Sequence, residues 1–406
     1  MKPSSTHAPH PSHQVAPWIM PTIVLAQFCC SALWFAGNAV MGDLIQQFGL
    51  PADSLGYLTS AVQVGFISGT LIFAVLTLAD RFSPSKVFLV CGIAGGLLNL
   101  MPILEGNTLW TLFLSRMLMG ISLAGIYPVG MKIASDYAQQ GLGKWLGFLV
   151  GALVLGTAFP HALKAFSSVV SLPWKSVLMA ASGLSILGAA MIGFWVPDGP
   201  ARKASTGFDP KAIFTVFRKA SFRQAAFGYF GHMWELYAFW AFLPIWLGHW
   251  AEAHDWVEFP VSTWAFLIIA IGGIGCVLGG YLSLSRGPKR VASWAILVSG
   301  LLCLSSPLLF QLPSWVFLPL LLLWGIAVIT DSPLFSTLVA HNSPVETKGT
   351  ALTIVNSLGF ALTIVSIQLL AFLQNRIPAE FLYLPLAIGP IIGWWILRKE
   401  YQGAEK

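Results

Sequence analysis

The sequence predicts an all-α membrane protein whose twelve transmembrane helices form two six-helix bundles. Three observations carry that expectation. Of 406 residues, 56% are hydrophobic and only 9% charged, against roughly a quarter charged in soluble domains. The apolar residues fall in runs of the roughly 20 residues that a helix needs to cross a bilayer core about 30 Å thick. No segment alternates polar and apolar residues as a membrane barrel would. Runs such as Leu318 to Gly325 and Phe266 to Gly273 are continuous, and read as helices that satisfy their own backbone groups.

In chain order the predicted spans are 19–41, 54–78, 86–104, 108–132, 145–168, 174–196, 222–247, 262–284, 291–311, 314–339, 349–373 and 379–397. With the N-terminus in the cytoplasm, 18 of the 22 basic residues fall on the inner side. Only Lys164, Lys175 and Arg376 face outward, and Arg116 lies inside a span. The excess of inner Lys and Arg predicts that both termini are cytoplasmic, in a bacterial inner membrane. The formal charge of +6 therefore follows from topology and gives no reason to expect nucleic-acid binding.

The longest non-apolar inner segment, 197–221, carries Arg202, Lys203, Lys211, Arg218 and Lys219. It divides the chain into a cytoplasmic tail (1–17), a first bundle (18–196), this linker, a second bundle (222–398) and a short cytoplasmic tail (399–406). Two six-helix halves joined by a basic linker are the arrangement expected of transporters built from repeats, with a solute site near the midplane. The N-terminal stretch is rich in proline and histidine and lacks the charged start of a secretory signal. His7, His10 and His13 recur every three residues there, but with no helix to align them they are not assigned as a metal site. The five cysteines, Cys29, Cys30, Cys91, Cys276 and Cys303, lie in predicted spans without a CxxC pair, and read as small packing residues.

The loop after the second span, Leu76-Thr-Leu-Ala-Asp80-Arg81-Phe-Ser-Pro-Ser-Lys86, resembles the G-x-L-x-D-R-x-G-R-R/K signature of the major facilitator superfamily. Leu76 stands for the first Gly and Ser83-Pro84 for the internal Gly-Arg. The loop after the eighth span, Gly279-Gly280-Tyr-Leu-Ser-Leu-Ser-Arg286-Gly287-Pro-Lys289-Arg290, keeps glycines and bases but no acid, about 205 positions downstream. Arg116-Met-Leu-Met-Gly120 in the fourth span is similar to the superfamily's R-x-x-x-G element. The glycines of the fifth span, Gly143, Gly147, Gly151 and Gly156, do not reproduce its antiporter motif and read as close packing. The resemblance implies the twelve-helix fold of that family, alternating access, and Asp80 and Arg81 as a conformational latch bridging to the neighbouring bundle.

Ionisable residues inside spans are costly and mark function. Arg116 is the leading candidate for attracting an anionic solute, its alternative being a hydrogen-bond hub. The seventh span, Gly231-His232-Met-Trp234-Glu235-Leu-Tyr237, puts His232 and Glu235 three apart on one helical face. Burial favours the neutral form of a carboxylate and a nearby cation the charged form, so this pair suits proton loading and release. Histidine's titration near neutrality adds a relay. In Thr330-Asp331-Ser332-Pro333 the proline breaks the tenth span, making Asp331 a second candidate for coupling or for pairing with His232, its alternative being a cap on that helix. Trp34, Asn38, Tyr127, Trp234, Tyr237 and Asn356 are expected to line the solute site, with Gln63, Trp240 and Gln368 as further wall candidates.

These features point to a proton-coupled secondary transporter of a small polar or anionic solute, its partners being that solute, protons and lipid. The seventh span and the Asp331 segment are similar to cyanate and nitrate/nitrite permease-like members. The aromatic content of 13% keeps an efflux pump for amphipathic compounds open, and a transporter-like sensor is the reading from another class. No HExxH pair, facing histidines or Walker A sequence is present, so neither an enzyme nor a bound cofactor or metal is expected. Oligomeric state is not encoded in any motif, and a monomer suffices.

Overall fold

The computed structural model describes residues 16–138, 142–202, 212–344 and 347–398, and they are helical with no strand among them. Ten helical segments are long and apolar enough to cross a membrane. These are α1 (Ile19–Ala39), α2 (Ser54–Val75), α3 (Pro84–Ile103), α4 (Leu109–Tyr137), α5 (Lys144–Val169), α6 (Lys175–Trp195), α8 (Val261–Arg286), α10 (Ser314–Asn342), α11 (Lys348–Leu373) and α12 (Ala379–Arg398). Two further helices complete the path, α7 (Ala220–Ala253) and α9 (Pro288–Leu304). Helix α9 has only 17 residues. Helix α7 has 34, which at about 1.5 Å each far exceeds a bilayer core and outruns its predicted end at 247.

Local chemistry sets the ends. Ser83 caps α3, its hydroxyl accepting from Lys86 N at 3.4 Å with Pro84 next in the first turn. Thr108 and Thr111 cap α4 reciprocally, hydroxyl to backbone, at 3.3 and 2.9 Å. Large apolar side chains such as Val90, Trp110, Phe194, Leu284 and Trp315 are exposed, as expected where lipid is the solvent.

Close crossings depend on glycine. A Cβ on Gly65 of α2 would lie 1.9 Å from Met117 O of α4, and one on Gly120 of α4 would lie 2.2 Å from Val62 O. Helices α8 and α10 repeat the arrangement: a Cβ on Gly325 would lie 1.9 Å from Ile268 O, and one on Gly272 would lie 2.7 Å from Gly325 O. The paired positions lie about 205 residues apart, as do the two degenerate loops. Both α4 and α10 also break at a proline, α4 between Ala124 and Tyr127-Pro128 and α10 at Asp331 before Ser332-Pro333. The α4 break, like a division of α1 after Ser31, interrupts spans that the sequence predicts as continuous. The last predicted span opens in 3-10 turns around Pro385, and only Ile388–Arg398 is α-helical.

The sequence halves meet where α2 packs on α11 and α5 on α8. A Cβ on Gly151 would lie 3.4 Å from Gly273 O at the second junction, and one on Gly156 would lie 2.3 Å from Phe28 O of α1, whereas Gly147 has open space. The glycine series of α5 is thus a packing device at two of its four positions, and Gly143 lies outside the described side chains. The tails and residues 203–211 of the linker, with His7, His10 and His13, also lie outside the described residues.

Candidate functional site

Arg116 is 4% exposed and points from α4 at the second part of α1. Its Nη2 donates to Trp34 O at 3.1 Å and Asn38 Oδ1 at 2.9 Å, while Nη1 reaches Leu33 O at 3.5 Å. Asn38 passes the chain on, donating to Thr59 Oγ1 of α2 at 2.8 Å. Gly37 makes room, since a Cβ there would stand 3.1 Å from Arg116 Cζ. No carboxylate pairs with Arg116 among the described residues. The guanidinium is therefore the hub that the sequence left as an alternative, and it brings a net positive charge to the middle of the molecule.

Trp34 turns its ring toward the other half. It lies 4.9 Å from Phe66 of α2, 5.7 Å from Tyr237 of α7 and 5.9 Å, stacked, from Phe360 of α11. Phe66 and Phe360 are 4.5 Å apart. Arg116, Asn38, Trp34 and Tyr237 thus meet at the junction of the halves, with Phe66 and Phe360 as members the sequence did not single out. Gln63, one turn before Phe66 on α2, is wholly buried, and neither atom of its amide has a protein partner. Trp34 Nε1 and Arg116 Nε are also buried without one. Asn356 sits one turn from Phe360 on the same face of α11 and is half-buried.

The other solute candidates diverge. Trp234 turns away to α12, its indole N–H donating to Pro385 O at 3.3 Å, and its ring lies over Gly389. That removes it from the wall the sequence predicts, although Tyr237 follows it by only three residues on α7. Tyr127, just after the α4 break, is half-buried.

Glu235 and His232 do not form the predicted pair. Glu235 is 1% exposed and faces into its own half, where one oxygen, Oε1, accepts three bonds. Ser299 Oγ donates at 2.6 Å, Trp324 Nε1 at 2.7 Å and Cys303 Sγ at 3.2 Å. Ser299 and Cys303 are four apart on α9, and this spacing of small polar residues is the signal that could have found them. Cys303, expected to be mere packing, is a donor. With the donors gathered on Oε1, the second oxygen is left to carry a proton, so the same cradle accommodates both protonation states.

His232 pairs instead with Asp331 at the α10 break. Its Nδ1 lies 2.8 Å from Asp331 Oδ1, both groups almost fully buried, close enough for an ion pair but off the line of a well-aligned hydrogen bond. The break keeps Asp331 inside, and its side chain caps no helix end. Tyr229 and Phe335 flank the imidazole at 6.0 and 6.2 Å.

The predicted latch is built within the first half. Asp80 Oδ1 is 2.9 Å from Lys132 Nζ at the end of α4, and Arg81 Nε donates to Thr77 Oγ1 at 3.1 Å. Thr77 itself has φ 50°, a backbone position that costs a residue with a Cβ. The linker's first residues join in: Arg202 Nη2 donates to Asp80 O at 2.9 Å and Phe82 O at 2.8 Å, and Ser83 Oγ donates to Asp198 Oδ1 at 2.6 Å. Every hydrogen bond and ion pair described for this loop ends in the first half or on the linker, which corrects the expected bridge to the neighbouring bundle.

Residues 23–367 match the family model described as the Major Facilitator Superfamily. The chain belongs to that superfamily. Among curated members it is 23% identical over 215 residues to a putative uncharacterized transporter, YgaY, of Escherichia coli (strain K12), covering 51% of each protein. It is thus matched over about half the length of that relative. A probable sulfoacetate transporter, SauU, of Cupriavidus necator is 25% identical over 293 residues, 64% of this chain and 62% of that protein. The 4-hydroxybenzoate transporter PcaK of Pseudomonas aeruginosa is 28% identical over 183 residues, 43% of this chain and 40% of that one. In fold, a mutant of the nucleoside transporter NupG superposes with a TM-score of 0.71 at 14% identity, covering 93% of this chain and 98% of that one. This integral membrane protein therefore shares the superfamily fold.

Proposed function

We infer that the chain is a proton-coupled secondary transporter moving a small organic anion, with a carboxylate or sulfonate and a compact apolar or ring-bearing body, by alternating access. Its twelve helices form two six-helix bundles, 18–196 and 222–398, with both termini cytoplasmic in a bacterial inner membrane. The reading rests above all on one observation. At the junction of the halves Trp34 Nε1, Arg116 Nε and both amide atoms of Gln63 are buried without protein partners, beside a ring cluster and an uncompensated guanidinium. Buried polar atoms are normally bonded, and an anion held among these rings would accept from the three N–H donors, Trp34 Nε1, Arg116 Nε and Gln63 Nε2. The relatives, which carry sulfoacetate and 4-hydroxybenzoate, support an organic acid.

The rings of Trp34, Phe66, Tyr237 and Phe360 touch one another across the halves, so solute enters when they part. Two hydrogen bonds join the halves at one end: Gln368 Nε2 donates to Ser60 Oγ at 2.9 Å, and Gln374 Nε2 to Ala52 O at 3.3 Å. In the proposed topology that is the outer end, and this conformation is closed to the outside. Protons are exchanged in the second half, by Glu235 and the His232–Asp331 pair. The test is purified protein in proteoliposomes with an internal pH dye, challenged with pools of aromatic carboxylates, short sulfonates, cations and neutral solutes. Proton flux with an acid pool alone supports the reading; flux with cations or neutral solutes alone overturns it.

A further inference from the structure

A second feature lies away from the ring cluster, at the outer end. A cavity of about 690 Å³ opens between the start of α2 and the end of α11, lined by Asp53 and Tyr57 on one side and Gln368, Phe372, Asn375 and Arg376 on the other. Asp53 immediately precedes the span Ser54–Val75, and Arg376 follows the span Lys348–Leu373 by three residues. Both charges therefore stand at head-group depth, where a bilayer exchanges hydrocarbon for phosphate.

Neither charge meets an opposite charge among the described residues. Asp53 precedes the helix without a side-chain capping bond. The guanidinium of Arg376 lies 3.8 Å from the centre of the Phe372 ring, and Nη1 donates to Phe372 O at 2.6 Å. The ring and the carbonyl hold the cation at the cavity wall. Asp53 and Arg376 share the cavity without forming an ion pair. A simple anion would meet Arg376 but be repelled by Asp53; a simple cation would meet the reverse. A ligand carrying both charges a few bonds apart answers both. Tyr57 and Phe372 are 42% and 56% exposed, an apolar flank along which hydrocarbon chains would lie.

We propose that this cleft binds a phosphate–ammonium zwitterion, the head group of an ethanolamine phospholipid, with phosphate on Arg376 and ammonium at Asp53. Because the walls come from both halves, a bound head group ties α2 to α11 beside the Gln368–Ser60 bond. It thereby favours the conformation closed at this end. The site is independent of the transported solute.

The experiment is native mass spectrometry of the delipidated full-length protein titrated with ethanolamine, choline and glycerol phospholipids of matched chains. Each charged contact supplies about 1.5–3 kcal/mol, or roughly tenfold or more in affinity. Ethanolamine lipid should therefore bind about tenfold more tightly than choline lipid, whose methylated head cannot donate to Asp53. Asp53→Asn should erase that preference while retaining phosphate binding, and Arg376→Gln should weaken all three lipids. Equal binding of ethanolamine and choline lipids to the native chain, or unchanged binding in Arg376→Gln, overturns the proposal. So does displacement by free glycerophosphoethanolamine at lipid-equivalent concentration, which would assign the cleft to a water-soluble zwitterion. Arg376→Lys, which keeps the charge, should retain most of the affinity and guards against a folding defect.

Discussion

Beside the ring cluster the buried charge of the first half is Arg116, held by carbonyls and an amide and, among the described residues, paired with no acid, while that half's buried carboxylate, Asp136, stands apart at the linker end of α4. In the second half the buried charges are Glu235 and Asp331, held by neutral donors and by a histidine. The contrast has a chemical consequence. A guanidinium stays protonated in proteins, so the first half offers a constant positive field that can only attract. Carboxylates change charge by one proton, so the second half is where a proton can be counted. In the proposed mechanism attraction and coupling are thus divided between repeats that otherwise share glycine crossings and broken helices.

The largest effect expected from this division follows Glu235→Gln. The amide preserves the bonds from Ser299 and Trp324 but cannot give up a proton. Accumulation driven by an imposed pH gradient should fall to background, while exchange of labelled for unlabelled solute continues. Unchanged uphill uptake in proteoliposomes would make Glu235 a structural hub and move coupling to the His232–Asp331 pair alone. Asp331→Ala should come next. It strands a buried imidazole, costing about 1–3 kcal/mol, seen as a lower unfolding temperature, and should slow gradient-driven uptake. Asp331→Asn should recover the stability but not the uptake; recovery of both would show that the pair is only structural.

Arg116→Lys tests the other half. An ammonium keeps the charge but not the planar fork, so it cannot hold Trp34 O and Asn38 Oδ1 as the guanidinium does. Loss of one such bond costs about 1 kcal/mol, and solute affinity should drop about fivefold with proton stoichiometry unchanged. Native affinity in this variant, measured by tracer binding, would mean that charge alone suffices.

How much of this was legible follows from which interactions are local. Hydropathy located the spans, and the proline after Asp331, Pro333, announced the α10 break. The α4 break at Tyr127-Pro128 has the same cause but was hidden inside an apolar run. Periodicity put His232 and Glu235 on one face correctly, yet a helix face is broad enough to serve two partners, and the partners came from α9 and α10. Ser299 could be found only through its spacing with Cys303, and Trp324 and Phe360 carry no signal of their own, because a single ring in an apolar span is ordinary. The loop motif predicted Asp80 as an ion-pair partner but not Lys132, since the sequence does not say which neighbour lies nearest.

Gly37 makes the finest test, because two known effects oppose each other there. Inside a helix, Gly→Ala ordinarily gains up to about 1 kcal/mol. At Gly37 the new Cβ would stand 3.1 Å from Arg116 Cζ, 3.2 Å from Nη1 and 3.3 Å from Nε, so the guanidinium must withdraw by a few tenths of an ångström. A free side chain would do so readily, but this one is tied to Trp34 O and Asn38 Oδ1. Gly183 of α6, where a Cβ meets nothing within 4 Å, supplies the control. Gly183→Ala should raise the unfolding temperature, whereas Gly37→Ala should leave it level or slightly lower and weaken solute binding about twofold to threefold, roughly half a kcal/mol. If both alanines stabilise the protein equally and solute binding holds, Arg116 is not locked in place, and its fixed field is not what distinguishes the first half from the second.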